Sequence, residues 1–130
     1  ATSWRGQRIL RDGAHGVVPI AALPEELMAN IDADTRIVGI SRDTADKQLR
    51  SHPEILAEDY AKLADLVERG KVIRVDPRNL AFVGRDEDLP WIAVIKKAVK
   101  GNELFLTTFY RASSGRYVAR LIERGEVVRK

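Results

Sequence analysis

Hydrophobic positions recur with a helical spacing through the first half of the chain and with a two-residue spacing through much of the second. Residues 1–22 show no clear period, and Gly6, Gly13 and Gly16 with Pro19 read as loop or weak strand. Leu23-Pro24-Glu25-Glu26-Leu27-Met28 predicts a short helix, with proline and acids in its first turn. Arg36-Ile37-Val38-Gly39-Ile40 predicts a short strand. Ser41 is then placed to cap a helical segment Arg42–Arg50, with Asp43 near its positive end. The strongest helical period covers Glu54–Arg69. Pro53 suits the first helical position, Leu56, Tyr60, Leu63 and Val67 form one stripe, and Gly70 supplies the stop. Glu58/Lys62 and Asp65/Arg69 are i,i+4 pairs on its wet side.

Beyond Gly70 the pattern changes. Lys71–Val75 and Leu80–Val83 predict strands around the turn Asp76-Pro77-Arg78-Asn79, and Arg85–Pro90 is a polar loop. From Trp91 to Arg111, two runs of β-formers flank Lys100-Gly101-Asn102-Glu103, which reads as a tight hairpin. A last helix, about Ser114–Arg124, stops at Gly125, and Val127-Val128 can add an edge strand. This order predicts an α+β fold, with N-terminal helices packed on one face of an antiparallel sheet and a C-terminal helix. With no internal repeat or linker, residues 1–130 are expected to form one domain.

The hairpin carries the chemistry. With Gly101-Asn102 as turn residues, Lys97 lies opposite Leu106 and Ala93 opposite Tyr110. Alternation then gathers Trp91, Ala93, Ile95 and Lys97 with Leu104, Leu106, Thr108 and Tyr110. The other face holds Ile92, Val94 and Lys96 with Phe105, Thr107, Phe109 and Arg111. Each face mixes an apolar floor with a cation and a hydroxyl, which suits helices on one side and a ligand groove on the other. The face of Trp91, Lys97, Thr108 and Tyr110 has more groups able to stack on bases or bind phosphate. The plainer account of Lys96 and Lys97 is edge-strand charge that discourages aggregation.

Composition narrows the chemistry. A chain of 130 residues with 45% hydrophobic and 32% charged residues is ordinary for one globular domain. It has no cysteine, which excludes disulfide scaffolds, thiolate nucleophiles and cysteine-based metal sites. No apolar run approaches a membrane span. The net charge of +3 hides a division: residues 1–90 carry a net −3 and residues 91–130 a net +6. A basic end of this kind points to a polyanionic partner. The start Ala1-Thr2-Ser3 has neither an initiator methionine nor the form of a signal peptide, as expected of a trimmed chain or of a piece of a larger polypeptide.

Two histidines are present. His52, in Arg50-Ser51-His52-Pro53-Glu54, sits at the junction of two predicted helices, where it can serve as acid and base or simply pack before a proline-led helix. His15, in a glycine-rich approach, reads as a loop residue. HExxH, GxxxxGK[ST] and GxGxxG motifs are absent, Arg85–Asp88 lacks calcium-loop spacing, and Ser113-Ser114-Gly115 is not a nucleophile elbow. No metal site and no cofactor are expected.

Ile40-Ser41-Arg42-Asp43-Thr44, then Arg50-Ser51-His52-Pro53-Glu54 with Glu58-Asp59-Tyr60 and Leu63, resembles the first half of the phage-associated barnase–EndoU–colicin–RelE-like (BECR) nuclease domains. Trp91, Val94-Ile95-Lys96-Lys97, the Gly101 turn and Leu106-Thr107-Thr108-Phe109-Tyr110-Arg111 resemble the second half. The resemblance covers about residues 36–125, leaving residues 1–35 as an extension without an assigned role. It implies a curved antiparallel sheet with an RNA groove on its open face, in a metal-independent ribonuclease toxin. It places the family's helix-borne histidine on His52, its strand lysine on Lys96 or Lys97, its threonine on Thr108, and its aromatic and basic pair on Tyr110 and Arg111. An immunity or antitoxin protein, a delivered parent polypeptide and action in a target cell's cytoplasm follow from the same analogy.

The chemistry agrees with the residues present. RNA carries its own nucleophile, the 2′-hydroxyl, so the protein has to supply a base, an acid and cations for the phosphorane. His52 is the natural base or acid, with Lys97 and Arg111 for the charge, Thr108 and Tyr110 to orient phosphate, and Tyr110 as a second candidate acid. Trp91, Lys96, Arg116 and Arg120 are candidates for RNA contact. Two rival readings use the same basic face: a non-catalytic nucleic-acid-binding module, and a structural interaction domain of a phage particle.

Overall fold

The computed structural model describes residues 17–55, 57–85, 90–99 and 103–130. Seven strands form one sheet in the order β1-β2-β6-β5-β4-β3-β7. In chain order they are β1 (Val17–Ala22), β2 (Ile37–Ser41), β3 (Lys71–Asp76), β4 (Asn79–Val83), β5 (Trp91–Lys97), β6 (Leu104–Arg111) and β7 (Glu126–Arg129). The helices are α1 (Arg42–Ser51), α2 (Ala61–Arg69) and α3 (Arg116–Arg124), with 3-10 helices at Glu25–Ile31 and Ala57–Tyr60. The α+β class follows as predicted, and every strand pair is antiparallel except β2 with β6. That parallel pair requires a long crossover, and the chain supplies one in α1, α2 and strands β3–β5.

Helices cover both faces rather than one. The larger core joins Leu23 just before the first 3-10 helix, Leu27 and Ile31 within it, Ala45 of α1 and Leu63, Leu66 and Val67 of α2 to one face. That face presents Leu80, Phe82, Trp91, Ala93, Ile95, Leu106 and Phe109. On the opposite face, Leu121 of α3 packs on Ile73, Ala81, Val83 and Ile92. Residues 17–35 belong to the domain proper, since β1 completes the sheet beside β2 and Leu23 is fully buried. His15 and the turn at Gly101-Asn102 lie outside the described residues.

Local chemistry explains most boundaries. The Ser41 hydroxyl accepts the Thr44 N–H at 3.2 Å and caps α1. Asp76 Oδ1 accepts the Arg78 N–H at 2.8 Å and an Asn79 side-chain N–H at 2.9 Å, closing the β3–β4 turn. The helix expected over Glu54–Arg69 begins only at Ala61. The Ile55 N–H bonds instead to the His52 carbonyl at 3.0 Å, a turn that carries Ile55 into the core. The 3-10 segment that follows presents Tyr60 to Phe109, with ring centroids 5.1 Å apart.

The β5–β6 register differs from the expected one. Val94 pairs with Thr108 but Ile95 with Leu106, so Thr107 is an extra residue in β6, a β-bulge. Its hydroxyl donates to the Val94 carbonyl at 3.2 Å. Nearer the turn, Lys97 pairs with Leu104 rather than Leu106. Because partners across a ladder share a face, the bulge redistributes the side chains of β6. Trp91, Ala93, Ile95 and Lys97 share the larger core's face with Leu104, Leu106, Phe109 and Arg111, while Ile92, Val94 and Lys96 share the other with Phe105, Thr108 and Tyr110.

Candidate active site

Three elements bring His52, Tyr110 and Tyr117 together. α1 ends at Ser51, and the His52 N–H closes the helix onto the Gln48 carbonyl at 2.9 Å. One turn earlier the Gln48 side chain reaches β6, donating to the Phe109 carbonyl at 2.6 Å and accepting the Phe109 N–H at 3.2 Å. Gln48 is the buried polar residue of the described core, and its amide serves β6 where β2 has already turned away. This clamp fixes α1 against β6 beside Tyr110. The His52 ring stacks on the Tyr110 ring with centroids 5.3 Å apart and planes within 8°. Tyr117, from the first turn of α3, meets Tyr110 edge-on at 5.9 Å.

His52 is 30% exposed, and its Nδ1 lies 3.4 Å from Glu54 Oε2. A neutral imidazole that places its Nδ1–H toward this carboxylate keeps its lone pair on Nε2. Burial, reinforced by the hydrogen bond to Tyr117, pushes the Tyr110 hydroxyl far above the usual tyrosine range. Tyr110 therefore remains a protonated donor. On its face of the sheet the row continues through half-buried Thr108 to half-buried Lys96, one same-face position beyond the Val94–Thr108 pair. The Lys96 side chain has no hydrogen bond or ion pair with another described residue.

Thus Tyr110, Thr108 and Lys96 share one row of the sheet, with His52 stacked at its Tyr110 end, and the other candidates lie elsewhere. Lys97 points to the opposite face, where its Nζ donates to the Asp32 carbonyl at 2.5 Å and approaches Asp32 Oδ2 at 3.7 Å. Asp32 ends the first 3-10 helix with φ 53°, and Lys97 ties down that left-handed turn. Trp91 is only 8% exposed, stacked on Phe109 at 5.0 Å with Lys62 Nζ 5.1 Å from its ring centre, so it is a core residue closed to bases. Arg111 is exposed on Trp91's face at the end of β6. Arg116 and Arg120 are exposed on α3. Sequence reasoning missed Glu54 as a partner of His52, and it missed Tyr117 and Gln48. The spacing of His52 and Glu54 around a proline was a readable sign of the first.

A pocket lined by Val17, Ile37, Gly39 and Leu104 lies toward the other end of β6 and gathers no comparable chemistry. Among the described residues, no three His, Cys, Asp or Glu side chains cluster to hold a metal ion, and no helix is long and apolar enough to cross a membrane. Comparison of the chain with protein-family models, curated proteins and solved structures finds no match.

Proposed function

We propose that this chain is a metal-independent endoribonuclease of the barnase–EndoU–colicin–RelE-like kind, cleaving RNA by attack of a 2′-hydroxyl on the adjacent phosphate. The observation that carries the reading is the set of His52 with Glu54 at its Nδ1 and Tyr110 against its ring, continued by Thr108 and Lys96. The arrangement offers a base, a cation and hydrogen-bond donors and no protein nucleophile, which RNA supplies itself.

In this account His52 takes the 2′ proton through Nε2, while Glu54 holds the tautomer and balances the imidazolium that forms. The 2′-oxygen bonds to phosphorus, and the bond to the 5′-oxygen breaks as that oxygen takes a proton from solvent water. The products are a 2′,3′-cyclic phosphate and a free 5′-hydroxyl. Lys96, rather than Lys97, faces the phosphate and offsets charge on the phosphorane, with the Thr108 and Tyr110 hydroxyls donating to its non-bridging oxygens. A Tyr110 hydroxyl held so firmly protonated is a better hydrogen-bond donor than a source of the leaving group's proton.

Cleavage of end-labelled RNA by purified variants tests the assignment. His52→Ala is expected to lower kcat by about 10²–10⁴-fold and Lys96→Ala by about 10²–10³-fold, both with an unchanged far-ultraviolet spectrum. Lys97→Ala is expected to cost stability more than turnover, because its ammonium is engaged at Asp32. Full activity in the folded His52 and Lys96 variants would overturn the site.

A further inference from the structure

The charges along the first turns of α3 oppose its stability, although Arg124 sits favourably at its negative end. Arg116, Arg120 and Arg124 follow one another at i,i+4 spacing, where like charges repel, and Arg116 lies in the first turn beside the positive end of the helix dipole. That turn carries no acidic residue and no side-chain cap. All three arginines are exposed and form no ion pair with a described residue. The exposed side of α2 differs, since Arg69 pairs there with Asp65 at 3.4 Å. An arrangement that costs the helix stability fits a surface that meets an anion.

Its direction is fixed by contacts. Leu121 and Val118 dock α3 on the sheet, and Tyr117 touches Tyr110. At about 100° per residue, Arg116, Arg120, Arg124 and Tyr117 fall within one arc of roughly 100°, beside the docked stripe. Tyr117 therefore sets the N-terminal end of this arc beside the His52–Tyr110 pair, and the arc runs from there toward β3. Successive arginines are separated by a rise of about 6 Å, close to one phosphate step of an extended strand. Tyr117 is 40% exposed, which leaves part of its ring open to a base.

Resting on the ribonuclease reading, we infer that the α3 ridge of Arg116, Arg120 and Arg124, with Tyr117 at its site end, binds the continuing backbone of a single-stranded RNA. Each arginine meets a successive phosphate, and Tyr117 stacks on the base next to the scissile position. Stacking of this kind requires a base freed from a duplex, so the preferred substrate is unpaired RNA of several nucleotides.

The test is binding of a 2′-O-methyl oligoribonucleotide, which cannot undergo 2′-hydroxyl attack, as a single strand and as a duplex across a salt series. The wild-type chain is expected to prefer the single strand. The R116Q/R120Q/R124Q variant is expected to lose about 2 from the slope of log affinity against log salt. Tyr117→Leu is expected to weaken single-strand binding about tenfold with little change in slope. The triple variant should unfold at nearly the same denaturant concentration, because relief of like-charge repulsion offsets the loss of Arg124 at the negative end of the helix. An unchanged slope, or equal affinity for the duplex, overturns the ridge whatever cleavage shows. A reduced slope in a chain that leaves ordinary RNA intact supports the ridge and overturns only the cleavage reading.

Discussion

Tyr110 is a side chain through which three elements meet, its ring flat against His52 after α1 and edge-on to Tyr117 of α3. Its hydroxyl and that of Tyr60 both hold their protons above the ordinary tyrosine value of 10.0, each chiefly because burial disfavours the phenolate. The unfolded chain releases these protons near that value while the folded chain retains them. Above it the unfolded state binds fewer protons, so stability falls as pH rises toward the folded-state values. Urea unfolding from about pH 8 to about pH 11 is expected to show a declining midpoint, and Tyr110→Phe is expected to flatten the decline. A midpoint equally steep in the variant would remove Tyr110 from this linkage. At this scale the sequence revealed residue types but not their neighbours. His52 was legible because a histidine between two helical patterns stands out. Tyr117 was not, because its meaning depends on a contact between α3 and β6 that no spacing encodes.

At the scale of elements, the junction of α1 with β6 holds the site together. Among the described residues, β2 pairs with β6 only through Leu104 and Phe105, and Gln48 takes over at Phe109 with one donor and one acceptor. Gln48→Leu fills similar space but leaves two buried backbone groups unpaired. It is expected to cost about 2–4 kcal/mol, read as a lower urea midpoint with an unchanged slope. It should also slow cleavage in the molecules that remain folded, because His52 is carried by the same helix end. A loss of less than about 0.5 kcal/mol would show that the clamp is not needed. Elements with local punctuation were legible: Ser41 before α1, the Asp76–Asn79 turn and Gly125 after α3 all act where their chemistry predicts. The hairpin register was not, because a bulge at Thr107 is decided by pairing across strands. That single residue exchanges Lys97 for Lys96 in the row beside Thr108. The early start expected for α2 failed for a related reason, since tertiary packing of Ile55 and Tyr60 overrides a continuous helical period.

Across the whole molecule, the division between an acidic first part and a basic last forty residues becomes a spatial arrangement. The first part builds the core-side helices and contributes His52 and Glu54, and the basic part contributes Lys96 and the α3 arginines. The α+β class was legible from the order of periods. The position of α3 on the second face was not, because an amphipathic helix does not declare which side of a sheet it will cover. Placing α3 there brings Tyr117 of its first turn against Tyr110 of β6, in the row that the proposed mechanism uses.

The central claim is cleavage by the RNA's own 2′-hydroxyl. Its most direct measurement is the end chemistry of products formed from total RNA and from a defined single strand in excess EDTA. The account predicts 2′,3′-cyclic phosphate and 5′-hydroxyl ends, formed at the same rate with or without the chelator and absent when the scissile ribose is replaced by 2′-deoxyribose. Intact RNA under these conditions, or cleavage that strictly requires added magnesium, would contradict it.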